Sequence, residues 1–295
     1  MFRSASLLLG ASVIVALGSS VGCGGDAGDE GLNPPSTGGN GGTGGSTGGS
    51  GGAGGSTGGT AGTGGVAGTG GVAGTGGSGG SGGCQKGTTK ASQVVWIGDS
   101  YPASGNGGIQ RYTEQAAQAA GALAAGTTYR RYYAGGTQLA NGQIPGQYTQ
   151  AKSADPDITT VIMTGGGNDI LIGNNTCLSN PPPANQSCVD TVAKAVAAAD
   201  AMFTQMQADG VKNVIYYFYP RTAILQSGAN VDYAFPVVKA GCDKFKGPLN
   251  CHFVDTRPAF EGQNWFSDGI HPTDPGQKAI GGLVWDTMVS QCIAQ

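Results

Sequence analysis

Histidine is almost missing: two residues in 295, at 252 and 271. With so few imidazoles, and with cysteine spacings that match no zinc pattern, a metal-based chemistry has little to be built from. Charge of one sign is missing too. Residues 84–295 carry 14 Lys or Arg against 15 Asp or Glu. No basic stripe favours nucleic acid and no acidic run favours a cationic partner. Long hydrophobic runs are lacking as well. The longest apolar stretch, from Leu7 to Leu17, is too short to read as a membrane-spanning helix.

That apolar stretch has another reading. Residues 1–22, with Arg3 before it and small residues after it, have the layout of an export signal. Ser20-Val21-Gly22 then precedes Cys23, which resembles a bacterial lipobox whose cysteine is acylated; Ser20 stands where leucine is usual. Membrane contact is expected through that anchor alone. Residues 24–83 are nearly pure Gly, Ser, Thr and Ala, and most of the 58 glycines lie there. So few buriable side chains cannot offset the entropy of ordering, which predicts a disordered tether over 23–83, with an r.m.s. reach of roughly 40–45 Å. Gly77, Gly79 and Gly82 satisfy G-x-G-x-x-G, but no strand precedes them and no helix follows, so no nucleotide site is read there.

The folded unit is expected at 84–295, large enough for one good core. It holds six cysteines: Cys84, Cys177, Cys188, Cys242, Cys251 and Cys292. An even count in an exported domain predicts disulfides, for which fifteen pairings exist. Proximity favours Cys177–Cys188 and Cys242–Cys251, leaving Cys84–Cys292 to staple the two ends.

Within this unit strand and helix patterns alternate. Strands are read at 93–97, 129–133, 158–163, 214–218 and 252–254, and helices at 109–125, 189–208 and 275–293. Val192, Val196, Ala199, Phe203 and Met206 recur at helical steps, and Pro275 sits where a helix tolerates it. Strands separated by helices imply a parallel sheet covered on both faces. Ligands of such sheets sit beyond the carboxyl ends of the strands.

Four motifs fall at that end. "GDS" (98–100) follows the first strand, "AGGT" (134–137) the second and "TGGGND" (164–169) the third. "DGIHPT" (268–273) precedes the last helix. Acyl transfer needs a hydroxyl, a base within reach, a group that orients the base, and donors for an oxyanion. Ser100 is a candidate hydroxyl. His271, three residues after Asp268 and held in an extended or turn form by Pro272, is a candidate base with its orienter. Asn168 offers an amide donor, and Gly135 a backbone N–H that no side chain obstructs. Each alone has a bland reading: "GDS" is an ordinary turn, and D-x-x-H a solvent-facing loop. His252, inside the fifth strand, reads as a packed or edge residue.

Together these blocks, in this order and at these strand ends, resemble the SGNH hydrolases, also called GDSL-type esterases. The resemblance spans about residues 93–292. It implies an α/β fold, a flavodoxin-like three-layer α/β/α sandwich with a five-stranded parallel sheet, and ester hydrolysis without a metal or other cofactor. It implies Ser100 as nucleophile, His271 as general base and Asp268 as its orienter. The Ser100 N–H, the Gly135 N–H and the Asn168 side chain are implied as the oxyanion hole. Tyr101 departs from the family's leucine and has no role assigned by the resemblance.

The expected product of this chain is an exported, monomeric serine esterase acting on acyl esters of a polysaccharide, on lipids or on short-chain esters. The insert at 174–188 is expected to be a disulfide-closed loop at the rim of the site. Tyr101, Tyr132, Tyr133 and Trp265 are read as aromatic faces for stacking on sugars. The alternative reading is a non-catalytic carbohydrate-binding surface module on the same fold.

Overall fold

The computed structural model describes residues 89–171, 177 and 185–294. The expected signal segment, the tether with Cys23, Cys84 and most of the insert at 174–188 lie outside the described residues.

Five strands form one parallel sheet: β1 (Val94–Ile97), β2 (Arg130–Arg131), β3 (Thr160–Met163), β4 (Asn213–Tyr217) and β5 (Asn250–Val254). Their order is β2-β1-β3-β4-β5, and every neighbouring pair is parallel. All four residues of β1 and all four of β3 are buried. This explains why "VVWI" and "TVIM" are unbroken apolar runs: a central parallel strand is covered on both faces, so side-chain alternation has no polar side. Registry is close to flush, with Ile97 opposite Met163 and Met163 opposite Tyr216. The turns after β1, β3 and β4 therefore leave the sheet at one level.

The described helices are α1 (Ser100–Ala119), α2 (Gln143–Ala154), α3 (Gly167–Leu171), α4 (Gln186–Ala208), α5 (Leu225–Asp243), α6 (Arg257–Phe260) and α7 (Asp274–Ser290). Strand order runs outward from β1 to β2, then reverses to β3, β4 and β5. With right-handed crossovers that reversal puts α1 on one face and α2, α4 and α5 on the other. α7 returns to pack along α1, where the Thr113 hydroxyl donates 3.0 Å to the Gly281 carbonyl. A Cβ on Gly281 would lie 2.8 Å from the Ile109 carbonyl oxygen, so the two helices approach backbone to backbone.

The layered fold and all five strands agree with the sequence reading, with shifts at the ends. The second strand shrinks from 129–133 to two residues, Arg130 and Arg131, although the Tyr132 N–H still donates 2.8 Å to the Trp96 carbonyl of β1. The helix expected at 109–125 begins at Ser100. It is interrupted at Ser104–Gly107, where Gly105, Asn106 and Gly107 take positive φ, and it closes at Ala120, before Gly121 at φ +74°. The helix expected at 275–293 ends at Ser290. Four of the described helices were not foreseen: the short α3 and α6, and the longer α2 and α5. α2 carries Pro145 and Gly146 in its first turn, and α5 has Pro236 inside it, residues that normally argue for a helix boundary. Burial of one face overrides that propensity: Ile144, Tyr148 and Ala151 of α2, and Val231, Ala234, Phe235 and Val238 of α5, are all in the core.

Candidate active site

The site starts at a turn that only glycine can make. After Ile97 the chain bends at Gly98, whose φ is +135° and whose Cβ, if present, would lie 2.7 Å from the Thr164 carbonyl oxygen. Buried Gln147 of α2 grips both polar groups of this peptide. Its Oε1 accepts from the Gly98 N–H at 2.6 Å, and its Nε2 donates to the Gly98 carbonyl at 2.9 Å. Asp99, fully buried, then caps α1 by accepting from the Tyr101 N–H at 3.1 Å. Burial pushes its carboxyl up to about 6, against the hydrogen bond from the Tyr101 N–H that lowers it. Ser100 is left half-buried as the first residue of α1. Its N–H is among the helix's first amides, which have no partner within the helix and carry the positive end of its dipole.

On the facing side, residues 266–272 form a tight loop closed by a bridge between Phe266 and Pro272. Asp268 organises it. Its Oδ1 accepts from the N–H groups of Ile270 (3.0 Å) and His271 (2.7 Å), while its Oδ2 lies 2.6 Å from His271 Nδ1. Burial pushes the Asp268 carboxyl up, but these three hydrogen bonds and the imidazole charge outweigh it and hold the group at about 2. A carboxylate at such a pKa only accepts, so Nδ1 carries the proton and Nε2 has a free lone pair. That Nε2 lies 2.9 Å from Ser100 Oγ. Ser100, His271 and Asp268 are thus in hydrogen-bond series across 171 residues of chain.

Two further blocks flank the serine. Asn168, 3 % exposed, is the second residue of α3, the short helix after β3, and its Nδ2 donates 3.0 Å to the Thr137 carbonyl. One amide hydrogen is thereby used to hold the side chain, and the second remains to donate. Gly135 lies in an exposed turn with open space around the position a Cβ would take. The turn is tied to the Gly98-Asp99-Ser100 turn by the Ala134 N–H (3.1 Å) and the Thr137 hydroxyl (2.9 Å), both donating to the Gly98 carbonyl. Asp169 couples the two blocks: its carboxylate accepts from the N–H groups of Leu139 (3.0 Å) and Ala140 (2.8 Å). Burial raises its pKa, and those two bonds oppose the rise.

Other readings are sharpened or corrected. Tyr101 is 0 % exposed, so it presents no face to a sugar; its ring packs at 3.9 Å, centroid to centroid, against Tyr219. Trp265 and Tyr132 are half-buried, the first against Phe260 at 5.6 Å and the second with its hydroxyl donating to Asp155. His252 sits in β5 with Nε2 3.1 Å from Asn213 Oδ1; burial, then Lys246, lowers its pKa. Cys177–Cys188 and Cys242–Cys251 are disulfides, as proximity favoured. Cys292 is disulfide-bonded as well, and its expected partner Cys84 lies outside the described residues. Gln147 and Asp169 escaped the sequence reading as parts of the site. A lone glutamine in an unforeseen helix carries no local signal, whereas Asp169, directly after Asn168 in a glycine-rich strand end, does. Among the described residues no group of three or more His, Cys, Asp or Glu side chains is arranged to hold a metal.

Residues 96–279 match the family of GDSL-like lipases and acylhydrolases, and the chain belongs to that family. It is a carboxylic ester hydrolase of the SGNH type. No curated protein matches it in sequence. Its fold is similar to that of a carbohydrate esterase family 3 protein from Talaromyces cellulolyticus, at 18 % identity and a TM-score of 0.51, covering 68 % of this chain and 97 % of the other. It is also similar to an acetyl esterase mutant with acetate ion (17 %, TM-score 0.51, 68 % and 97 %). A lipase from a goat rumen metagenome is similar at 13 % identity, with a TM-score of 0.52 and coverage of 65 % and 95 %.

Proposed function

We propose that the protein is a serine esterase in which Ser100 is the nucleophile, His271 the general base and Asp268 the residue that holds the base. One observation carries the reading: Oγ to Nε2 at 2.9 Å and Nδ1 to Oδ2 at 2.6 Å in unbroken series. Ser100 Oγ attacks the ester carbonyl while its proton passes to Nε2. Asp268, ionised throughout the working range, stabilises the imidazolium. The tetrahedral oxyanion is met by the N–H of Ser100, the N–H of Gly135 and the free amide hydrogen of Asn168. Nε2 returns its proton to the leaving alcohol. Water, deprotonated in its turn by His271, then cleaves the acyl-enzyme.

The substrate class we assign is the acyl ester of a polysaccharide, acetyl above all. What supports it is a half-buried serine at a strand end, together with the likeness of the fold to a carbohydrate esterase and an acetyl esterase. We further assign export of the chain, with acylation of Cys23 and residues 23–83 as a Gly/Ser/Thr-rich tether. The disulfides fit an oxidising compartment, and no described helix is long and apolar enough to cross a membrane.

Hydrolysis of p-nitrophenyl acetate and of acetylated xylan by the protein and by Ser100→Ala tests this. The variant should lose at least about 10³-fold in kcat, and a fluorophosphonate should label Ser100 in the parent. Equal rates for the two proteins would overturn the assignment, and failure to label would favour a binding module instead.

A further inference from the structure

The side chain that follows the nucleophile is large and wholly buried. Tyr101 is 0 % exposed, and its ring is clamped against Tyr219 at 3.9 Å between centroids. Its hydroxyl donates 2.7 Å to the carbonyl of Ile270, 169 positions along the chain. Ile270 is the residue immediately before His271. The two rings, Tyr101 and His271, lie 6.3 Å apart.

We propose that Tyr101 is a positioning residue that fixes His271 relative to Ser100, by tying the peptide in front of the imidazole to the first turn of α1. This rests on the Ser100–His271–Asp268 mechanism. The other hydrogen bonds of the loop lead elsewhere, and the next anchor to α1 is Asp274 of α7, which accepts from Arg111 Nη2 at 2.9 Å and the Tyr112 hydroxyl at 2.6 Å, beyond the break in that helix. The Ala223 N–H donates to the Gly269 carbonyl at 2.9 Å, the Thr273 N–H to the Trp265 carbonyl at 2.8 Å, and Gln277 Nε2 to the Pro272 carbonyl at 2.9 Å. These hold the loop to the turn after β4, to itself and to α7. The contact from His271 to Ser100 does reach α1, but it exists only while Oγ or Nε2 bears the shared proton.

That condition fails midway through the reaction. In acylation the Oγ–carbonyl carbon bond forms, the carbon–alkoxide bond breaks, and the hydroxyl proton leaves with the alcohol by way of Nε2. Oγ is then an ester oxygen with no hydrogen to donate, so the Ser100–His271 hydrogen bond is gone. Deacylation still requires Nε2 to take a proton from water as the water oxygen bonds the carbonyl carbon, and to return it to Oγ as the ester bond breaks. The Tyr101–Ile270 tie does not involve the reacting atoms and persists through this interval. Tyr101 therefore serves deacylation more than acylation.

The test uses the full chain with Tyr101→Phe, which keeps the ring and removes the hydroxyl. The matched control is Tyr148→Phe, which loses a hydroxyl bonded at 2.8 Å to Asp209, the residue that closes α4 before β4 begins, at the end of the sheet opposite the serine. Rates are expressed per site titrated with a fluorophosphonate, so that a folding loss does not count as a kinetic one. With p-nitrophenyl acetate, Tyr101→Phe should lower kcat about tenfold or more and lower KM with it. A p-nitrophenol burst of one equivalent per titrated site should appear, with the fluorophosphonate rate within about threefold of the parent. The control should behave as the parent does. Tyr101→Met, lacking ring and hydroxyl, should show the same burst. Parent-like kcat in Tyr101→Phe, or a fall in kcat with KM unchanged and no burst, would overturn the proposal. Full activity in Ser100→Ala would instead overturn the mechanism beneath it.

Discussion

Asn168 is a residue whose role depends on how its two amide hydrogens are shared. One is spent on the Thr137 carbonyl at 3.0 Å, which holds the side chain and, in the mechanism we propose, leaves the other to face developing charge. A donor positioned in this way stabilises the transition state far more than the ground state. Asn168→Ala should therefore cost about 10²–10³ in kcat with little change in KM. Steady-state kinetics on p-nitrophenyl acetate check this, and a loss confined to KM would remove Asn168 from the oxyanion hole. At the same scale the sequence was most and least legible. Asp268 and His271 could be paired from their spacing, because a three-residue turn brings carboxylate and imidazole together wherever the loop sits. Gln147 could not be found, because its two bonds to Gly98 depend on where α2 packs.

The first helix shows how an element is built around one acidic cap. Asp99 is needed to accept the Tyr101 N–H, yet it is fully buried, and burial raises its pKa from 3.8 to about 6. Between those two values the folded chain holds a proton that the unfolded chain releases. Stability from this group is thus lost as pH rises from about 4 through 6, and the cost stays level above. Asparagine caps as well and cannot ionise. Asp99→Asn should flatten the pH dependence of stability between pH 4 and 6 and add about 1–3 kcal/mol at pH 8. Urea unfolding at a series of pH values reads this directly; an unchanged slope would show that Asp99 is not the group responsible. The break at Ser104–Gly107 belongs to the same element. "SGNG" looks like a loop in the sequence, and it becomes an interruption inside α1 because Gly105 and Gly108 pack onto Gln277 of α7.

For the whole molecule, the parallel sheet brings all the pieces to one edge. Strand order reverses between β1 and β3, the place in such sheets where ligands bind beyond the carboxyl ends, and Ser100 and Asn168 follow those two strands there. Disulfides hold the periphery. Cys242–Cys251 joins the end of α5 to β5, both sulfurs buried, across a separation of 9 residues. Replacing both with alanine should cost about 2–3 kcal/mol by the loop-closure estimate, with a melting temperature roughly 5–10 °C lower and activity of the folded protein retained. Calorimetry and initial rates check the two halves; loss of activity at temperatures where the variant is folded would place this bridge in the site.

The sequence by itself determined the strands, the layered class and the four blocks, because each is a local matter. Burial on both strand faces writes an apolar run, glycine writes a bend, and a short spacing writes a turn. It also determined that the only histidine at a strand-end loop lies beside an aspartate. Tertiary structure alone decided what those blocks do to one another. The 2.9 Å between Ser100 and His271, the shared amide of Asn168, the grip of Gln147 and the burial of Tyr101 under the loop it holds are contacts between residues up to 171 positions apart. Their geometry is set by how helices pack on a sheet, which no local pattern records.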